Sequence, residues 1–113
     1  MKSSVEIPES LLRFKPELEN FCRKHPITRL EVFGSVARGE QSAGSDLDLL
    51  VTFTAGAPRG MAHFAFVDDL EKELEEMLGC EVDLIEREAV EENPNALWKQ
   101  LIFGDARELY ATA

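Results

Sequence analysis

Two periods of apolar residues divide the chain. Over residues 9–24 they recur at helical spacing: Leu11, Leu12 and Phe14, then Leu18, Phe21 and Cys22. Proline fits the first turn of a helix and not its interior, so Pro16 predicts two helical pieces with a break near Lys15, and Pro26 closes the element. Over 28–33 the period falls to two, Leu30 and Val32 alternating with Arg29 and Glu31, the pattern of a strand. Gly34 ends it, residues 35–38 suit a short helical turn, and 39–45 are polar and turn-rich. Residues 47–53 are almost continuously apolar, as in a strand covered on both faces.

After a loop at 55–60, residues 61–78 predict the longest helix. Its apolar stripe is Phe64, Val67, Leu70, Leu74, Met77 and Leu78, with Asp69, Glu71, Lys72, Glu73, Glu75 and Glu76 mostly outside. Gly79 suits its C-cap. Residues 81–86 read as a third strand and 95–103 as a short helix, with Asn93 as its cap and Pro94 at its first position. Gly104 then turns the chain into a last strand at 107–111. This order predicts an α/β (α+β) domain, a mixed sheet of about four strands packed with helices. A single domain is expected over 1–113, a helical segment at about 9–25 preceding a core at about 26–112.

Charge narrows the partners. Twenty-two acidic residues against twelve basic ones give a net charge of −10. A chain so acidic, with no basic stripe, is not expected to hold long nucleic acid by counterion release. Small polyanions screened by metal ions, or a basic protein partner, remain compatible with it. No apolar run approaches the roughly 20 residues of a membrane helix. The segment from Met1 to Glu6 lacks the apolar block of a signal peptide, so a cytoplasmic protein without membrane contact is expected. Cys22 and Cys80 stand far apart, neither with a CxxC neighbour, and read as reduced, buried or partly buried thiols.

The chemistry concentrates between Phe33 and Val51. Asp46 and Asp48 stand at i, i+2 where the second strand begins, so they point the same way. Aspartate is a poor strand former, and two carboxylates side by side repel. A cation between them removes both penalties, and hard oxygen ligands suit Mg²⁺ or Mn²⁺. Asp83 is a third carboxylate inside an apolar strand, between Val82 and Leu84. If the long helix returns that strand beside the second, three carboxylates converge at one sheet face. That set can hold two divalent ions roughly 4 Å apart, the arrangement that clamps attacking and leaving oxygens in phosphoryl or nucleotidyl transfer. Upstream, Gly34-Ser35 opens a helical turn whose backbone amides can meet an anion.

Gly34-Ser35, the ten residues from Val36 to Ser45, and Asp46-x-Asp48 together resemble the signature of the polymerase-beta-like nucleotidyltransferases. Phe33-Gly34-Ser35-x-Ala37-Arg38-Gly39-Glu40 and Val82-Asp83-Leu84 look like the minimal nucleotidyltransferase (MNT) branch of that superfamily. The resemblance runs from about Pro26 to Tyr110 and implies the fold of that superfamily. By position, it implies that Asp46 and Asp48 hold two Mg²⁺ ions, and that Asp83 holds the catalytic one and helps deprotonate the acceptor hydroxyl. Gly34 and Ser35 would bind the β- and γ-phosphates of ATP. Arg38 would steady the triphosphate or the leaving pyrophosphate, or instead pair with Glu40 or a partner protein.

Members of the MNT branch are commonly paired with a HEPN ribonuclease toxin. The resemblance therefore implies an antitoxin that transfers AMP from ATP to a tyrosine hydroxyl of a separate HEPN-type toxin, in a hetero-oligomer. Two other functions stay open: a non-catalytic module that neutralises its partner by contact, and nucleotidyl transfer to a small molecule. The remaining polar and aromatic residues have plainer readings. His25 and His63 suit the surface or a helix end, Arg59 and Lys72 a solvated face, and Trp98 and Tyr110 a core or an interface. Neither GxxxxGK[ST] nor a GxGxxG after a strand is present.

Overall fold

In the computed structural model, which describes residues 9–37 and 47–112, four strands form one mixed sheet. The elements run α1 (Glu9–Leu12), α2 (Lys15–Lys24), β1 (Ile27–Phe33), α3 (Gly34–Ala37), β2 (Leu47–Phe53), α4 (Met61–Leu78), β3 (Val82–Glu86), α5 (Arg87–Glu91), α6 (Ala96–Asp105) and β4 (Arg107–Ala111). Spatially the strand order is β3-β2-β1-β4. β1 lies antiparallel to both β2 and β4, whereas β2 and β3 are parallel. A parallel pair needs a long crossover, and α4 supplies it.

Alternate strand residues feed two cores, one on each side of the sheet. Leu30, Val32, Leu49 and Val51 pack with Leu18, Phe21 and Cys22 of α2 and Leu70 and Leu74 of α4. Each of these fully buried leucines contributes about 1.5–3 kcal/mol over leaving it exposed. Phe33 and Leu50 face the other way, toward Val90 of α5 and Ile102 of α6. β2 is thus central and covered on both sides, which accounts for its continuous apolar run. Among the described residues no helix is long and apolar enough to cross a membrane.

The expected break near Lys15 is present, with Phe14 at the cap position of α2 and Pro16 in its first turn. Other local details correct the pattern reading. Phe64 is 72% exposed, and Phe66 packs against the core in its place. At 3.6 residues per turn the buried arc through Leu70 and Leu74 extends back to position 66, not 64. Asn95, rather than Asn93, caps α6, its side chain accepting a hydrogen bond from Trp98 N at 2.9 Å. Asn93 instead accepts from Asn95 N at 2.8 Å and shapes the turn before it. α6 continues through Gly104 to Asp105, where Arg107 Nη1 donates to the Gly104 and Ala106 carbonyls. α5, with one buried residue, Val90, is too short to leave a period in the sequence.

Candidate active site

Asp48 is the second residue of β2 and Asp83 the second of β3. The parallel register pairs Leu47 with Val82, Asp48 with Asp83, and Leu49 with Leu84. Partners across a ladder project to the same face, so the two carboxylates stand side by side where both strands begin. Asp48 is half-buried and Asp83 exposed. On its other side Asp48 pairs with Phe33, the last residue of β1.

The next residue, Gly34, begins α3 with φ +77°. A Cβ placed there would lie 2.5 Å from Asp48 Oδ2 and 3.4 Å from its Cγ. Glycine is therefore needed twice over, for a left-handed backbone and for the approach of the carboxylate. Ser35 follows within α3, and its side chain is outside the described set. Asp46 and Arg38 lie outside the described residues.

Like charges on neighbouring strands repel, and adjacent carboxylate oxygens are hard donors suited to a divalent cation. The donor set of Asp48 and Asp83 fits Mg²⁺ in kind. Among the described residues no group of three or more histidine, cysteine or carboxylate ligands forms. The expected third ligand, Asp46, falls outside that set.

Two residues escaped the sequence reading. Glu75 Oε2 accepts from Val82 N at 3.0 Å, and Glu71 Oε2 accepts from Leu84 N at 2.8 Å. Helix carboxylates thus engage the outer edge of β3 on either side of Asp83, where a solvated helix face was expected. The only hint was their i, i+4 spacing just upstream of the strand.

Elsewhere the polar residues serve packing. His25 follows α2, with its Nε2 3.0 Å from Glu73 Oε1 and its ring against Phe21. His63, in the first turn of α4, lies 3.5 Å from Glu86. Lys72 is exposed and pairs with Asp68. Trp98 is partly exposed, and Tyr110 packs against the larger core. Neither cysteine is in a disulfide among the described residues. Burial pushes the Cys22 thiol up to about 12, with the charge of Glu19 adding and Arg23 opposing, so it stays protonated and inert. A groove of about 530 Å³ opens at the far end of β2, lined by Phe53, Arg59, His63, Glu86 and Glu88 among others. It includes neither Asp48 nor Asp83, and the paired acids beside a close-approach glycine remain the stronger mark of chemistry.

Residues 17–103 match the family described as the nucleotidyltransferase domain. A protein of Methanocaldococcus jannaschii, provisionally named a protein adenylyltransferase, is 37% identical over 90 residues, covering 80% of this chain and 95% of that one. A solved structure provisionally described as a minimal nucleotidyltransferase superposes with TM-score 0.64 at 35% identity, covering 87% of this chain and 91% of that one. A complex of a tri-AMPylated HEPN toxin with an MNT antitoxin from Shewanella oneidensis superposes with TM-score 0.58 at 20% identity, covering 91% and 73%. That last likeness is one of fold. The chain belongs to the nucleotidyltransferase domain family and is a nucleotidyltransferase.

Proposed function

We propose that this chain transfers AMP from ATP to a tyrosine hydroxyl of a HEPN-type toxin, with which it forms a hetero-oligomer, and so acts as its antitoxin. The observation that carries the reading is the register setting Asp48 beside Asp83, with Gly34 against Asp48. The provisional name of the Methanocaldococcus jannaschii relative supports adenylyl transfer to a protein, and the Shewanella oneidensis complex supports a HEPN toxin as acceptor.

Asp46 and Asp48 would hold two Mg²⁺ ions, with Asp83 sharing the catalytic one. Those ions, when bound, supply positive charge that offsets the charge gathering on the phosphate oxygens. The backbone amides of Gly34 and Ser35 hold the β- and γ-phosphates, and Arg38 steadies them. A tyrosine hydroxyl, with a pKa of about 10, is a weak nucleophile at neutral pH. Asp83, exposed at its strand, can receive the phenol proton as the oxygen attacks the α-phosphorus. The new bond joins the tyrosine oxygen to that phosphorus. The bond to the bridging oxygen breaks, and pyrophosphate leaves with the electron pair.

The surface suits a protein acceptor. Leu97 and Leu101, one turn apart on α6, are 66% and 62% exposed, with Trp98 beside them. Such an apolar ridge on a chain of net charge −10 fits a partner that is apolar at its centre and basic around it. To test the reading, Mg²⁺ and ATP labelled at the α-phosphate are mixed with the protein and with the protein encoded beside it. Label is expected on a tyrosine of the partner. Label that stays in ATP, or that transfers equally well with Asp46→Asn, would refute it.

A further inference from the structure

Among the described residues β3 is an edge strand of five residues, paired with β2 on one side only. In a strand, successive N–H groups point to opposite sides. Those of Val82 and Leu84 point away from β2 and meet the carboxylates of Glu75 and Glu71. An exposed edge with open N–H groups frays and invites pairing with other chains. Here the two bonds bracket Asp83, one residue before it and one after.

The spacing is matched on both sides. Four residues of helix rise about 6.0 Å, and two residues of strand advance about 6.6 Å. Carboxylates at i and i+4 on α4 therefore fall opposite alternate N–H groups of β3 when helix and strand run antiparallel. The pairing of 71 with 84 and of 75 with 82 has that sense. Both bonds are partly buried and charge-assisted, the stronger kind of hydrogen bond. Lys72, between the two glutamates in sequence, pairs with Asp68.

We infer that Glu71 and Glu75 are positioning residues, which clamp the free edge of β3 and hold Asp83 level with Asp48. The inference rests on the proposed role of Asp83 at the metal-dependent site. Displacement of a reacting group by about 1 Å can cost on the order of a hundredfold in rate. Without those bonds β3 is held by its pairing with β2 and by the burial of Val82 and Leu84, and nothing among the described residues fixes the outer N–H groups that flank Asp83.

The test compares Glu71→Ala/Glu75→Ala with Glu71→Gln/Glu75→Gln in the full chain. The readouts are Mn²⁺ binding by electron paramagnetic resonance, amide exchange at Val82 and Leu84, and kcat and KM for ATP. In the alanine pair, Mn²⁺ binding is expected to weaken, exchange at both amides to speed up, and kcat to fall about tenfold to a hundredfold. The KM for ATP should hold, because the proposed phosphate contacts, Gly34, Ser35 and Arg38, belong to neither α4 nor β3. Glutamine keeps an oxygen facing each N–H and should restore most of both binding and rate. If the alanine pair does not fold, Glu71→Ala alone is read in the same way.

Faster amide exchange with Mn²⁺ binding and kcat unchanged would overturn the inference, since the bonds would then be structural only. Glutamine variants as impaired as the alanine ones would overturn it too. Asp83→Asn separates the clamp from the site it serves. If that change leaves Mn²⁺ binding untouched, the proposed function falls and the clamp with it. If it weakens binding while the alanine pair does not, the clamp alone falls.

Discussion

The carboxylate of Asp48 lies over the Cα of Gly34, in the space a side chain there would fill. This contact joins the two halves of the family signature, the Gly-Ser turn and the Asp-x-Asp pair. It gives the glycine a physical reason that sequence spacing alone does not supply.

Gly34→Ala tests that contact. The new methyl group would meet Asp48 Oδ2 at 2.5 Å, and the φ of +77° would be strained as well. Left-handed backbone costs an L-residue roughly 1–2 kcal/mol, which corresponds to a fall in Tm of about 5–10 °C for a domain of this size. Nucleotidyl transfer should drop further than stability, by about a hundredfold, because Asp48 must move to make room. Far-UV circular dichroism should stay native. A variant that folds and works at the wild-type rate would show that the close approach does not matter.

The pairing of Asp48 with Asp83 predicts a conflict between stability and activity. Like charges directly opposite on neighbouring strands cost about 0.2–1 kcal/mol. Asp83 is exposed, so Asp83→Asn relieves the repulsion without opening a cavity. In EDTA this variant should melt a few degrees above wild type. Mg²⁺ should raise the wild-type Tm by mass action and raise that of the variant less, since Asp46 and Asp48 remain. Scanning calorimetry with and without Mg²⁺ decides it. A variant that melts lower in EDTA would count against the repulsion.

A buried ion pair supports the same sheet face. Glu31 is 4% exposed, with its Oε1 2.5 Å from Arg87 Nη1. Arg87 also donates to Glu91 and lies over the Phe103 ring at 4.5 Å. An uncompensated buried charge costs about 3–5 kcal/mol, but Glu31 would keep Arg29, whose Nη2 lies 3.5 Å from its Oε2. Arg87→Ala should therefore lower the urea midpoint by less than that limit, and Arg29→Ala combined with Arg87→Ala should lower it further. Glu31→Gln combined with Arg87→Met should recover most of the loss, since neither residue is then charged.

These residues also mark how far the sequence can be read. The bounds of β2, α4 and β4 were legible because long apolar runs and clean periods are hard to satisfy otherwise. The meeting of Asp48 and Asp83 followed from a long helix joining two short strands, which requires a parallel return. Glu31 was not legible. Alternation in β1 suggested a wet face, yet α5 and α6 cover it, and α5 leaves almost no pattern. Glu71 and Glu75 were hidden for a related reason. A charged helix position defaults to solvent until the topology reveals a strand edge beside it.

Glu73 makes stability sensitive to acid. Burial alone would raise its carboxyl, but hydrogen bonds and charge from Lys24 and His25 outweigh that and hold it below its ordinary 4.5. The contact ties the end of α2 to the middle of α4, with His25 Nε2 at 3.0 Å and Lys24 Nζ at 2.5 Å. A folded-state value below the unfolded one means that the unfolded chain takes up the proton first. The contribution is therefore fully present above about pH 4.5 and is lost as pH falls through the folded value. The group is a third exposed, so the effect should stay within about 1 kcal/mol. Urea midpoints measured at neutral pH and again well below the carboxylate range should converge for wild type and Glu73→Gln as acid is added, the variant being weaker only at the neutral end. Two curves that run parallel over the whole range would mean that the Lys24 and His25 contacts do not stabilise the ionised carboxylate.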